Sequence, residues 1–266
     1  MKPEIREKQV VVRPEFYETS LVYKFTDIIK GVYVLPITAF FSCILLSLYF
    51  NFEATTNTHC NVENYLPSVS AAIGTFPLQK FLWQYLIALH TPPRLFVAFL
   101  YRSYFKTFNS LSSGSVFLNL AVDVITVTDL IENLSLLLLT IVSSRENYYY
   151  HEKAFLTFLF TSQVHMLLKI FLIRKLKNDP QYSDTKSLRI KTMLWLINIT
   201  AVILSAYFFV RHNNHCETGV YTLFALCEYT IVLTNIAYHG TGFLEFSNTA
   251  MTLEIGALSK AKSKPS

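Results

Sequence analysis

Apolar residues along this chain fall into blocks near the length of a membrane crossing, separated by short polar segments. Six blocks can be traced: about Gly31 to Phe50, Phe81 to Tyr101, Val116 to Val142, Ala154 to Ile173, Met193 to Val210, and Val220 to His239. Roughly 20 residues of helix cross a hydrocarbon core of about 30 Å. Lipid offers the backbone no hydrogen bonds, so such segments must satisfy their own. The pattern therefore predicts an all-α polytopic membrane protein, a six-transmembrane-helix bundle. Thr91-Pro92-Pro93 interrupts the second block and predicts a break there. The third block is the longest and the most polar. No internal repeat and no low-complexity segment is visible.

Composition agrees with this reading. Hydrophobic residues make up 52% of the 266 positions and charged residues only 15%, with aromatics at 15%. A soluble domain carries about 25% charged residues. The net charge of +5 matters less than its placement. Basic residues gather in the N-terminal segment (Lys2, Arg6, Lys8, Arg13, Lys24, Lys30), after the second block (Arg102, Lys106), between Arg174 and Lys191, and in the final tail. The segment from Asn51 to Leu78 has none. This alternation puts both termini in the cytosol under the positive-inside rule. It divides the chain into a cytosolic segment 1–30, a six-helix domain 31–246 and a cytosolic tail 247–266. No basic surface interleaved with aromatics points to a nucleic acid. No cleavage site clearly follows the first block, which reads as a retained anchor. The sequons at Asn133 and Asn198 fall inside predicted helices and are expected to stay unmodified.

That orientation assigns Cys60 and Cys216 to lumenal loops, where an oxidising compartment permits a bridge between them. Two free thiols are the alternative. Ionisable residues inside lipid need a partner, a cavity or a task. At 100° per residue, Asp129, Glu132 and Asn133 share one helix face while Asp123 points elsewhere. His90 and Arg94 lie one turn apart, as do His165 and Lys169. Glu228, Asn235 and His239 fall near one line, with Glu228 and His239 roughly 16 Å apart along the axis, too far for a direct dyad. The functional reading is a pocket for a phospholipid headgroup. His90, Asp129, Glu132, Glu228 and His239 are its candidate catalytic groups. Arg94, Lys169, Asn235, Ser68 and Ser70 are its candidate binding groups. The structural reading is that carboxylates pair with Arg94 or Lys169 and fix helix packing. A Ser/His mechanism would need a hydroxyl placed against a base; Ser68 and Ser70 are the lumenal hydroxyls, and spacing reveals no base. No Gly-x-Ser-x-Gly, His-Glu-x-x-His or Cys-x-x-Cys occurs, and no cofactor or metal site is expected.

The loop Cys60-Asn-Val-Glu-Asn-Tyr-Leu-Pro-Ser-Val-Ser-Ala-Ala-Ile-Gly74, with Trp83 and Leu89-His-Thr-Pro-Pro-Arg94 after it, resembles the Post-GPI attachment to proteins factor 2 family, to which DRAM-type proteins are related. The block Glu228 to Phe246 is similar to that family's closing segment. Gly240 and Gly242 depart from the bulkier residues expected in vertebrate members. The resemblance implies remodelling of the lipid of glycosylphosphatidylinositol (GPI) anchors: reacylation of a lyso-GPI at sn-2 with a saturated chain, in the Golgi. It implies lyso-GPI or GPI-anchored proteins as partners, with the acyl donor undefined. It leaves open whether the chain is the acyltransferase or a lipid-presenting subunit that a separate acyltransferase requires. A transporter ranks last, because matching broken helices in two halves are not visible. Lys262 and Lys264, five and three positions from the end, resemble a retrieval signal, which would let the protein cycle between Golgi and endoplasmic reticulum.

Overall fold

The structure is a computed structural model that describes residues 19–112, 114–176, 185–246 and 250–255. The Lys262/Lys264 tail and the basic residues before position 19 lie outside the described residues. Strand β1 (Thr19–Lys24) leads into α1 (Phe25–Phe50). Two short helices, α2 (Phe52–Thr56) and α3 (Val69–Gly74), lie in the connection to α4 (Pro77–Ser112). Then come α5 (Val116–Ile141), α6 (Tyr148–Leu176), α7 (Thr185–His215) and α8 (Val220–Gly240), followed by the single turn α9 (Gly242–Glu245) and strand β2 (Ala250–Ile255).

The six long helices form a closed ring in chain order: α1 packs on α4, α4 on α5, α5 on α6, α6 on α7, α7 on α8, and α8 back on α1. Short connections force consecutive helices to run antiparallel. Five helical segments are long and apolar enough to cross a membrane: α1, α5, Tyr148–Lys175, α7 and Val220–Glu245. With 36 residues α4 is the longest helix, but Lys80, His90, Arg94, Arg102 and Lys106 lower its hydropathy and it does not meet the same measure. The surface is inverted relative to a soluble protein. Phe160, Ile203 and Leu45 are 70%, 64% and 62% exposed, while Asp129, Glu132 and Lys191 are at most 4% exposed. These features are those of a polytopic, helical membrane protein.

Several details depart from the sequence pattern. No break occurs at Thr91-Pro92-Pro93: α4 runs through both prolines. Each proline removes one N–H from the ladder, but the Thr91 hydroxyl donates back to the Ile87 carbonyl at 2.8 Å, and packing on α1 and α5 holds the segment. The first helix begins at Phe25, α6 at Tyr148 and α7 at Thr185, each several residues before its apolar block. The all-α bundle also carries a small addition. β1 and β2 pair antiparallel, from Thr19 opposite Ile255 to Lys24 opposite Ala250, and so join the two flanks of the helical domain. Asn133 and Asn198 are buried in helices; the Asn198 amide donates to the Ile231 carbonyl at 2.9 Å and to Thr234 Oγ1 at 2.8 Å.

The two ends of the ring are fastened differently. At one end a disulfide joins Cys60 to Cys216, with Cα atoms 5.2 Å apart. Gly219 stands beside it with φ +75°, a left-handed conformation suited to glycine, and donates its N–H to the Glu63 carbonyl at 2.9 Å. At the end with the ribbon, Lys191 pairs with Glu245 at 2.7 Å. Glu245 also accepts from Ser187 Oγ at 2.6 Å and from the Tyr101 hydroxyl, while the Lys169 ammonium sits 3.1 Å from the centre of the Tyr101 ring. A Cβ at Gly242 would lie 2.8 Å from Tyr101 Oη and 3.2 Å from Ile29 Cδ1. Gly242→Ala is therefore expected to displace Tyr101 and cost about 1–3 kcal/mol. Gly31 lies in mid-helix with nothing within 4 Å of its would-be Cβ, so Gly31→Ala should be neutral or stabilise by about 0.5–1 kcal/mol. Thermal unfolding of both variants in detergent checks this opposition of sign.

Candidate functional site

Inside the ring, α4, α5 and α8 turn their polar positions toward one another. On α5 the buried residues Val122, Ile125, Asp129, Glu132 and Asn133 recur at helical spacing, so the stripe that is apolar at one end becomes acidic in the middle. Arg94 reaches in from α4. Its Nη2 donates to Asp129 Oδ1 at 3.2 Å and to Glu132 Oε1 at 3.0 Å. The same nitrogen stands 2.6 Å from His239 Nε2 of α8. A guanidinium has no lone pair, so His239 Nε2 is the acceptor. Its 3.2 Å approach to Glu132 Oε1 is then a meeting of two acceptors bridged by Arg94. Asn235 Nδ2 donates to Glu132 Oε1 at 3.0 Å, and Asn133 Nδ2 donates to the Asp129 carbonyl at 2.8 Å and to its Oδ1 at 3.1 Å. Arg94, Asp129 and Glu132 are each at most 4% exposed.

A narrow cleft runs from this network toward the disulfide end. Its walls are largely apolar, including Ile73, Trp83, Leu139, Phe155 and Phe158, and it touches His90, Arg94 and Asn235 at one end and Ser70 and Glu228 at the other. His90 Nδ1 and Arg94 Nε are buried and have no hydrogen-bond partner among the described residues. Both belong to residues that line the cleft.

The predicted site residues thus divide. Arg94, Asp129, Glu132, Asn235 and His239 meet directly, and His90 lines the same cleft. Glu228 lies apart, its Oε2 accepting from the Val69 N–H at 2.9 Å. Ser68 caps α3 by accepting from the Ala71 N–H at 3.1 Å. Lys169 sits outside the network, over the Tyr101 ring. Ser70 has a partner that spacing did not reveal: its Oγ lies 2.8 Å from His151 Nε2. His165, Lys191 and Glu245 also turn inward without having been singled out as site residues. Helical spacing does place His165 one turn from Lys169, but gives it no partner on another helix. Asp123 pairs with Arg102 and Lys106, each at 2.8 Å, away from the network.

Asp129, Glu132, His165 and His239 offer ligand atoms all within 4.8 Å of one another. Two carboxylates and two imidazoles have the make-up of a divalent-metal site. Here the Arg94 guanidinium stands among them, bonded to three of the four residues, and supplies the positive charge that an ion would bring. Removing Arg94 would leave two buried carboxylates without it. Arg94→Met is expected to cost about 3–5 kcal/mol, and adding Glu132→Gln should recover part of the loss. Unfolding in detergent measures both.

The turn at residues 143–147 positions the start of α6. Glu146 Oε2 accepts from the Ser143 N–H at 3.0 Å and the Ser143 hydroxyl at 2.9 Å, and its other oxygen meets Lys80 at 2.5 Å. Lys80, then the Ser143 donors, hold the Glu146 carboxyl down to about 2 against 4.5 for the free group. A depressed carboxyl stabilises fully above its unfolded pKa and loses that contribution as pH falls toward the folded one. The stability difference between the native chain and Glu146→Gln should therefore be constant from pH 7 to about 5.5 and shrink from about 4.5 toward 2, as read by melting temperature against pH.

The chain matches the model of the family described as Frag1/DRAM/Sfk1/Cwh43P N-terminal domain over residues 25–249. It is 42% identical over 218 residues to Post-GPI attachment to proteins factor 2 of Drosophila melanogaster, covering 80% of this chain and 82% of that one. It is 37% identical over 251 residues to the protein of the same name from Caenorhabditis elegans, covering 89% and 91%. It is 37% identical over 253 residues to Acyltransferase PGAP2 of Xenopus tropicalis, covering 92% and 96%. No solved structure gives a significant match. The chain therefore belongs to the Post-GPI attachment to proteins factor 2 family, within the broader Frag1/DRAM group.

Proposed function

We propose that this protein remodels the lipid of GPI anchors by acyl transfer, restoring a saturated chain at sn-2 of a lyso-GPI in the Golgi. The observation that carries the proposal is the cleft. Its apolar walls suit an acyl chain, and His90 and Arg94 in its lining each keep a buried nitrogen with no hydrogen-bond partner among the described residues, a demand that oxygens of a bound lipid would meet. Relatives of matching length are named Post-GPI attachment to proteins factor 2 and Acyltransferase PGAP2, which supports both the anchor and the reaction type. Each buried CH₂ holds a lipid in the membrane by roughly 0.8 kcal/mol. A lyso-anchor is therefore weakly retained, and reacylation restores its hold.

The arrangement in the membrane follows the same proposal. The ring supports six crossings, with α4 as the sixth: it lies between α1 and α5 with its polar face turned inward, and that face lowers its hydropathy. The β1–β2 ribbon joins the two flanks of the helical domain, which requires an even number of crossings. The basic residues Lys24, Lys30, Arg102 and Lys106 favour the cytosol for the ribbon end. The disulfide favours an oxidising lumen for the other end.

The test uses the purified full chain in nanodiscs with a lyso-GPI-anchored protein and an acyl donor. Diacyl product is expected, and Leu139→Trp, which fills the cleft away from the polar network, should slow its formation by at least tenfold at unchanged folding. Absence of product from folded protein with either a phospholipid or an acyl-CoA donor would overturn the enzymatic proposal.

A further inference from the structure

The cleft has a second chemical group at its disulfide end. Ser70 Oγ lies 2.8 Å from His151 Nε2, within the range for a nucleophile and its base. His151 Nδ1 lies 2.8 Å from the Val142 carbonyl oxygen. A carbonyl can only accept, so Nδ1 carries the imidazole hydrogen and Nε2 presents its lone pair to Ser70. The Ser70 hydroxyl is therefore the donor. His151 is buried, whereas Ser70 is half-buried and forms part of the cleft wall.

Both partners are held from behind. The Glu228 carboxylate takes the Val69 N–H at 2.9 Å, and Ser68 takes that of Ala71 at 3.1 Å, so the residues on either side of Ser70 are tied. A Cβ at Gly74 would lie 3.3 Å from Ser143 Cβ, which shows how closely α3 meets the turn after Val142. Lys80 and Glu146 brace that turn. Hydroxyl, imidazole and orienting carbonyl thus come from three separate segments, all fixed relative to the narrow apolar cleft.

We propose that Ser70 is an acyl-accepting nucleophile and His151 its general base, making acyl transfer a two-step reaction through an acyl-Ser70 ester. The proposal rests on the acyl-transfer reading above and deepens it. In the first step Ser70 Oγ attacks the carbonyl carbon of an O- or S-acyl donor, a phospholipid ester or an acyl thioester. Its proton passes to His151 Nε2. The bond from carbonyl carbon to the leaving oxygen or sulfur breaks, and His151 gives the proton to that leaving group. In the second step the free hydroxyl of the lyso-lipid attacks the acyl-Ser70 carbonyl and yields its proton to His151. The bond to Ser70 Oγ breaks, and Ser70 recovers the proton. Nothing is oxidised or reduced. Apolar walls such as Ile73 and Phe155 exclude water, which favours transfer to a lipid hydroxyl over hydrolysis.

The test treats the full chain in nanodiscs with a fluorophosphonate, and separately with diacyl phosphatidylcholine or stearoyl-CoA followed by an acid quench. The peptide containing Ser70 is then weighed by mass spectrometry. We expect the fluorophosphonate on Ser70 and an acyl adduct with one of the two donors, which identifies the donor. Ser70→Ala should abolish both adducts and slow acyl transfer at least about 100-fold. His151→Gln should slow adduct formation similarly, while Ser70→Cys should keep an adduct as a thioester and so control for folding. Transfer by Ser70→Ala at the native rate, or native transfer with Ser70 unlabelled, would overturn the proposal and leave the remodelling reading standing. Labelled Ser70 without any diacyl product would support the dyad and overturn the remodelling reading instead.

Discussion

A guanidinium buried in a lipid-embedded ring has to be satisfied by protein, and much of this structure follows from how Arg94 is satisfied. Its Nη2 meets a carboxylate from each of two positions on α5 and an imidazole on α8. The three helices are thereby locked in one relative rotation. Breaking such a buried group costs several kcal/mol, more than most single apolar contacts in the ring contribute. The same requirement explains α4. A helix that gives its inward face to His90 and Arg94 looks too polar to cross a membrane when averaged over all its sides, yet its outward positions, such as Phe81, Tyr85 and Phe99, are apolar and exposed.

The network also leaves something over. Arg94 uses one nitrogen for its three partners, while Nε and the neighbouring His90 Nδ1 have no partner among the described residues. A cluster built solely to hold helices together would gain by satisfying them, because each buried unpaired polar atom costs about 1–3 kcal/mol. Their place on the wall of an apolar cleft links packing to function. At the other end of that cleft, roughly 10 Å away judged by the rise from Glu228 to Asn235 on α8, stand Ser70 and His151. An apolar passage therefore joins the buried network to the Ser70–His151 pair.

The helical frame and the polar residues of the interior were legible in the sequence because lipid imposes two strong rules: apolar length for a crossing and a high cost for a stray charge. Asp129 and Glu132 on one face, and Arg94 one turn from His90, could be read from helical spacing alone. Which cation met which carboxylate could not, since Arg94 and Lys169 were equally suitable until the helices were placed. His151 carried no signal. It opens a helix beside Tyr148, Tyr149 and Tyr150, and its partner lies 81 positions away. The β1–β2 pairing joins segments at opposite ends of the chain, a contact that no local pattern encodes. Pro92 and Pro93 misled for the opposite reason: their local preference is strong, but tertiary packing overrides it.

Acyl transfer as proposed requires that a lipid enter the ring between its helices instead of merely surrounding it. Photo-crosslinking measures this most directly, using a lyso-GPI analogue with a diazirine on its remaining chain and the full chain in nanodiscs. Entry into the ring predicts crosslinks to cleft residues such as Trp83, Leu139 and Phe155, competed away by unlabelled lyso-GPI. Crosslinks confined to outward-facing residues such as Phe160 and Ile203, unaffected by competitor, would contradict it.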